Sequence, residues 1–150
     1  MNDRIYPVNL HVAEEVKRVA TLKNSIWPEA DKEHYGDGLP DNFFASGKET
    51  LVFELDNELI GYLTWTWDLG VAHIDSTAVH PNHRRHGIAT KLKQELEARA
   101  KAKGCHKIMS ETGTDWSSRK LNQNLGYMEL LILKNHWGGK DSVLFEKRIA

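Results

Sequence analysis

The seven residues Arg84-Arg85-His86-Gly87-Ile88-Ala89-Thr90 carry the clearest chemistry in the chain. They join a strand-like stretch, residues 71–79, to an amphipathic stretch, residues 87–103. A glycine-bearing turn that feeds a helix N-terminus is an anion site. Its N–H groups have no partners inside the helix, and the helix dipole favours negative charge there. Gly87 lets an anion approach the backbone with no Cβ in the way. Arg84 and Arg85 can add charge-assisted contacts. Residues 84–107 hold eight Lys or Arg and two Glu, in a chain whose net charge is −1. That concentration suits a phosphorylated ligand, with two or three of the charges assigned to it and most of the lysines read as a solvated helix face. The turn lacks G-K-[ST] and G-x-G-x-x-G, so neither a nucleotide P-loop nor a dinucleotide fingerprint is supported. His80, His83 and His86 recur every three residues, with His73 nearby, and three imidazoles at one turn can bind zinc. No carboxylate or supporting pattern accompanies them, so no metal is expected.

The elements that must position this turn follow from periodicity. Residues 4–10 read as a strand and 12–27 as an amphipathic helix with Val12, Val16, Val19 and Ala20 on one side. Pro28 ends or turns that helix, and residues 29–47 are poorly periodic. Residues 50–55 and 59–67 read as strands joined by a hairpin at Asp56-Asn57-Glu58. After the strand 71–79 comes a helix over 87–103, with Ile88, Ala89, Leu92, Leu96 and Ala100 on one face and Gly104 as its stop. Then come a strand (106–111), a helix (116–125, closed by Gly126) and two strands (127–134 and 142–147). This is an α/β chain, a mixed central sheet of six to seven strands flanked by helices.

At 150 residues, with 40% hydrophobic and 27% charged residues, a single domain over 1–150 is expected. The lone cysteine, Cys105, rules out an internal disulfide and a cysteine-based zinc site, and is read as structural. No apolar run is long enough to span a bilayer and no signal peptide is legible, so a cytoplasmic protein with no membrane partner is expected. Overall charge argues against a nucleic-acid partner.

The segment Val79-x-Pro81-x-x-Arg84-Arg85-x-Gly87-Ile88-Ala89-x-x-Leu92 resembles the acetyl-CoA motif of the GNAT N-acetyltransferase superfamily, R/Q-x-x-G-x-G/A, with its strand in front and its helix behind. Ala89 stands where that family often has glycine. Downstream, Asp115 to Tyr127, ending Leu121-Asn122-Gln123-Asn124-Leu125-Gly126-Tyr127, is similar to the family's fourth-helix segment. The resemblance covers nearly the whole chain. It implies the fold just described, acetyl-CoA as co-substrate, and direct transfer of its acetyl group to an amine of a small molecule or peptide. It places the coenzyme A pyrophosphate on Arg84, Arg85, His86, Gly87, Ile88, Ala89 and Thr90. The thioester arm would lie on Thr77, Ala78, Val79 and Asn122. The backbone N–H of Val79, or of its neighbour Ala78, would hold the carbonyl oxygen as it gains charge. For the general base, His73 and Asp75 are the candidates on the central strand, with Glu111 behind them. Period-two alternation puts His73, Asp75, Thr77 and Val79 on one face unless a bulge intervenes.

The family's thiolate-protonating tyrosine is replaced here by Asn122. An amide donates a hydrogen bond but is no general acid near neutral pH, so Asn122 is expected to orient the sulfur. The resemblance places the acceptor cleft on residues 27–44 and 134–140. Trp27, Tyr35, Phe43 and Phe44 there, with Glu29, Asp31, Glu33, Asp37 and Asp41, suit an organic cation. Trp65 and Trp67 either line this cleft or pack on a helix. A homodimer is compatible with the resemblance. The alternative to an enzyme is a non-catalytic acyl-CoA-binding or regulatory module that kept the fold.

Overall fold

The computed structural model describes residues 2–26 and 48–150. The aromatic and acidic residues expected to bind the acceptor, Trp27 to Phe44, lie outside the described residues. Among those described, seven strands form one sheet in the order β1-β2-β3-β4-β5-β7-β6. They are β1 (Asp3–Pro7), β2 (Glu49–Leu55), β3 (Glu58–Asp68), β4 (Val71–Val79), β5 (Lys107–Gly113), β6 (Met128–Leu133) and β7 (Ser142–Arg148). Among the described residues three α-helices cover it: α1 (Ala13–Ile26), α2 (Ile88–Ala102) and α3 (Ser117–Asn124). Every neighbouring pair is antiparallel except β4 and β5.

Alternation assigns the two faces. Leu51, Phe53, Leu63, Trp65, Ala72 and Ile108 face one way and meet Ile88, Leu92, Leu96 and Ala100 of α2. Val52, Tyr62 and Ala78 face the other way and meet Val19, Leu22 and Ile26 of α1. The i, i+4 spacing of the α2 residues makes that stripe, and each such side chain contributes about 1.5–3 kcal/mol by leaving water. Gly61 brings α2 close, since a Cβ there would lie 3.2 Å from Ile88 Cγ2. Trp65 is fully buried in this core, while Trp67 is 42% exposed with Lys103 Nζ 4.0 Å above its ring. The β2–β3 hairpin turns on Asp56 and Asn57, both at positive φ (49° and 70°), as a tight two-residue turn requires.

Two irregularities shape the middle of the sheet. β4 and β5 pair over three rungs only, Val71 with Lys107, Ala72 with Ile108 and His73 with Met109. Beyond them each strand runs on without the other, to Val79 and to Gly113, so the sheet forks. The second irregularity is a bulge in β4. Ile74 pairs with Trp65 and Ser76 with Thr64, leaving Asp75 as the extra residue. The expected alternation is therefore broken. Thr77 and Val79, opposite Leu63 and Gly61, share the α2 face, whereas His73, opposite Thr66, shares the α1 face with Ser76 and Ala78.

Candidate active site

The turn that follows β4 is built around two left-handed residues. Arg85 has φ 66° and Gly87, the N-cap of α2, has φ 75°. No side chain caps α2, and the first helix bond returns from Lys91 N–H to the Gly87 carbonyl at 3.0 Å. The N–H groups of Ile88, Ala89 and Thr90 thus have no intrahelical partner. A Cβ built on Gly87 meets nothing within 4 Å, so the space before the helix end is clear. Arg84 Nε donates to the Val79 carbonyl at 3.0 Å and ties the turn to the end of β4. Arg85, His86 and Gly87 are exposed, Ala89 and Thr90 half-buried, and Ile88 anchors the helix in the core.

His80 Nδ1 accepts from Asn82 N–H at 3.2 Å and caps the short 3-10 turn Pro81–His83. His83 stands 6.0 Å from it, ring to ring. Among the described residues, no three His, Cys, Asp or Glu are grouped to hold a metal ion.

The forked edge of β4 carries the next set of groups. His80 N–H donates to the Ile60 carbonyl across β3. Antiparallel alternation then turns the main-chain groups of Ala78 and Ser76 toward β3, and those of Val79 and Thr77 toward the fork. Of the two oxyanion donors expected from the sequence, Val79 faces the fork and Ala78 does not. Thr77 joins Val79 there, and its buried hydroxyl has no hydrogen-bond partner among the described residues. A hydroxyl without a partner among the described residues, a clear anion turn and two strand N–H groups turned away from β3 fit an arm that pairs with β4 and ends in phosphate.

The base candidates are separated by the bulge. His73 is exposed on the α1 face. Asp75 is bulged out and ion-paired with Lys48 at 3.2 Å. Glu111, across the fork on β5, is on the α1 face too, because Ile108, Ser110 and Thr112 face α2 and α3. Among the described residues its Oε2 is buried without a hydrogen bond, 3.5 Å from His136 Nε2. Burial pushes the Glu111 carboxyl above the usual range, and the neighbouring His136 and Ser142 oppose this in part. Beyond Glu111, Trp116 lies over Gly113, where a Cβ would stand 2.6 Å from the indole, and its ring stacks on Trp137 at 6.3 Å.

Asn122 is fully buried on the other face. Its Oδ1 accepts from Lys93 of α2, and its Nδ2 donates to Ser110 Oγ of β5 at 3.4 Å. Lys93 and Ser110 were not singled out by the sequence pattern. The signal for Lys93 was its spacing, four residues after Ala89 and three before Leu96, inside the apolar stripe of α2. A groove of about 540 Å³ beside Lys93, Glu97 and Tyr127 is lined by none of the turn residues.

Comparison with known proteins gives a consistent result. The family model described as "Acetyltransferase (GNAT) family" matches residues 16–127. An aminoglycoside N(6')-acetyltransferase type 1 of Acinetobacter genomosp. 13 is 28% identical over 130 residues, 78% of this chain and 89% of that protein. An N-acetyltransferase structure from Staphylococcus aureus Mu50 superposes with a TM-score of 0.82 at 18% identity, covering 100% of each chain. An aminoglycoside 6'-N-acetyltransferase solved with coenzyme A superposes at 0.79 and 17% identity, covering 98% of this chain and 97% of that one. At these identities the two structures speak for the fold.

Proposed function

The chain belongs to the acetyltransferase (GNAT) family and is an acetyl-CoA-dependent N-acetyltransferase; on that premise we propose that it acetylates a small cationic amine brought to the α1 face of the fork, with Glu111 as the base. The observation that carries this reading is the burial of Glu111 Oε2 at the fork, with only His136 Nε2 at 3.5 Å among the described residues. A carboxylate desolvated in this way has its pKa raised and takes up a proton more readily, as a general base requires. His73 and Asp75 are weaker candidates, since one is exposed and the other is held by Lys48.

The pyrophosphate is assigned to the N–H groups of Ile88, Ala89 and Thr90 with Arg84 and Arg85, and the thioester arm to the fork edge of β4. Val79 N–H pairs with the arm. Thr77 N–H, nearer the fork, takes the thioester oxygen as it gains charge. The amine nitrogen bonds to the acetyl carbon, its proton passes to Glu111, and the carbon–sulfur bond breaks with its electron pair on sulfur. The α2 face of the fork is closed by α2 and α3, so the acceptor approaches from the side of Glu111 and the stacked Trp116 and Trp137. Aromatic faces beside a carboxylate suit a cation. The aminoglycoside acetyltransferase relative adds weight to a small-molecule acceptor over a peptide.

A thiol-release assay tests this. Acetyl-CoA is supplied with a panel of aminoglycosides, polyamines and N-terminal peptides. Amine-stimulated release of CoA with a cationic small molecule is expected. Tight acetyl-CoA binding with no stimulated release from any amine would instead favour a regulatory acyl-CoA-binding module.

A further inference from the structure

Lys93 is 5% exposed, and among the described residues no carboxylate pairs with it. Its nitrogen meets Asn122 Oδ1 and stands 5.4 Å from the centre of the Tyr127 ring. One turn on, Glu97 is engaged by Lys147 at 2.8 Å and Lys101 at 3.2 Å. Burial lowers the Lys93 pKa to about 8. A leucine would fill this place in the stripe without that cost, so the cation has another use.

The use follows from hydrogen-bond direction. An ammonium group only donates. It therefore holds the amide of Asn122 with its oxygen toward Lys93 and its nitrogen toward Ser110. Ser110 Oγ accepts from that nitrogen, which leaves its own proton to donate onward. Without Lys93 the amide can turn over, and the serine proton is then consumed by Asn122 Oδ1. Ser110 is the first β5 residue past the last rung with β4, on the α2 face, so its hydroxyl sits at the fork opposite the side of Glu111.

We propose that Lys93, Asn122 and Ser110 form a one-way hydrogen-bond line that presents the Ser110 hydroxyl as a donor to the sulfur of acetyl-CoA, with Lys93 as the positioning residue that sets its direction. This rests on the reading above that the thioester arm lies along the fork edge of β4. When the carbon–sulfur bond breaks, the electron pair on sulfur is met by the Ser110 O–H, while the amine proton has gone to the opposite face. No proton leaves Ser110. The line supplies the stabilisation of the leaving group that a tyrosine would otherwise supply as an acid, and it explains how a chain with Asn122 at that position remains an enzyme.

The test uses CoA itself and needs no acceptor. The thiol of protein-bound CoA is titrated by the ultraviolet absorbance of its thiolate, and CoA affinity is measured by calorimetry. Donation to sulfur favours the thiolate, so Ser110→Ala and Lys93→Met are each expected to raise the thiol pKa by about one unit, a tenfold change in proton affinity. Lys93→Arg, which keeps a donor-only head, restores the unaltered value. Lys93→Met in the Ser110→Ala background adds nothing further. An unchanged thiol pKa in both single variants, with CoA affinity retained, overturns the line. A full Lys93 effect in the absence of Ser110 also overturns it, because the charge would then act through space. Gly87→Glu separates the underlying reading: if that variant binds CoA as the unaltered protein does, the arm is misplaced and the line falls with it. Loss of binding in Gly87→Glu with an unmoved thiol pKa in the others rejects the line alone.

Discussion

Replacing Lys93 with methionine tests the energetic side of the buried cation. Methionine has similar length and no charge, so it fills the same space in the α2 stripe. In the folded protein the Lys93 pKa falls from 10.5 to about 8, which amounts to about 3 kcal/mol of penalty on the charged form. The sign is fixed by proton counting. Below pH 8 lysine is charged in both states, and the folded state bears the full penalty. Between pH 8 and 10.5 the unfolded chain holds more protons than the folded one, so stability of the unaltered protein rises with pH. Lys93→Met removes this rise. At neutral pH it gains the penalty back but leaves one end of the buried Asn122 amide without a partner, which costs about 1–3 kcal/mol, so its net stability is expected within about 2 kcal/mol of the unaltered protein. The difference between the two curves should then shift by about 3 kcal/mol in favour of lysine as pH climbs through that window. Urea denaturation of both proteins at several pH values reads this directly. Parallel curves across the window would refute the burial of a charged Lys93.

Other outcomes follow from the same geometry. Gly87→Ala forces a Cβ into a left-handed residue and should cost about 1 kcal/mol of stability by thermal denaturation, with acetyl-CoA binding weakened more than tenfold by calorimetry. Thr77→Val removes a buried hydroxyl that has no partner among the described residues, so the free protein should be as stable or about 1 kcal/mol more stable, while acetyl-CoA affinity falls. Glu111→Gln should lower kcat by about 10²–10⁴ in the thiol-release assay, with KM for acetyl-CoA little changed. Because burial raises the Glu111 pKa and the base acts ionised, activity of the unaltered enzyme should be lost on acidification above the ordinary carboxylate range, and Glu111→Gln should lack that limb.

Much of the site was legible because its signals are local. The apolar stripe of α2, the single glycine before it and the arginines on the turn all lie within one stretch of sequence, and the turn is formed as that stretch suggests. The fork was not legible, since the point where β4 and β5 part depends on pairing between residues 36 positions apart, His73 and Met109 being the last rung. Lys93 was read as one of several solvated lysines, although its spacing from Ala89 and Leu96 already placed it on the buried side. Trp65 and Trp67 have the same residue type and parity, yet only one is covered, because α2 ends near the other.

The bulge at Asp75 is the least legible feature, and it is open to a decisive test. In sequence, His73, Asp75, Thr77 and Val79 alternate without interruption, and no glycine or proline marks the break. What sets it is the need for both ends of β4 to bury a face: Ala72 at the start and Val79 at the end both enter the α2 core, although their numbers differ in parity. One extra residue between them is the solution. Deleting Asp75 alone therefore removes the bulge and leaves both ends on their faces, whereas deleting Asp75 and Ser76 together makes one end exchange faces, either burying His73 or expelling Val79. A loss of about 3 kcal/mol or more is expected of the double deletion, with acetyl-CoA binding lost as Thr77 and Val79 leave the fork, while the single deletion keeps that binding. Asp75→Ala keeps the residue count and removes only the ion pair with Lys48, so about 1 kcal/mol or less is expected. Equal effects of the single and double deletions, by denaturation and by acetyl-CoA calorimetry, would refute the argument that parity sets the faces of β4.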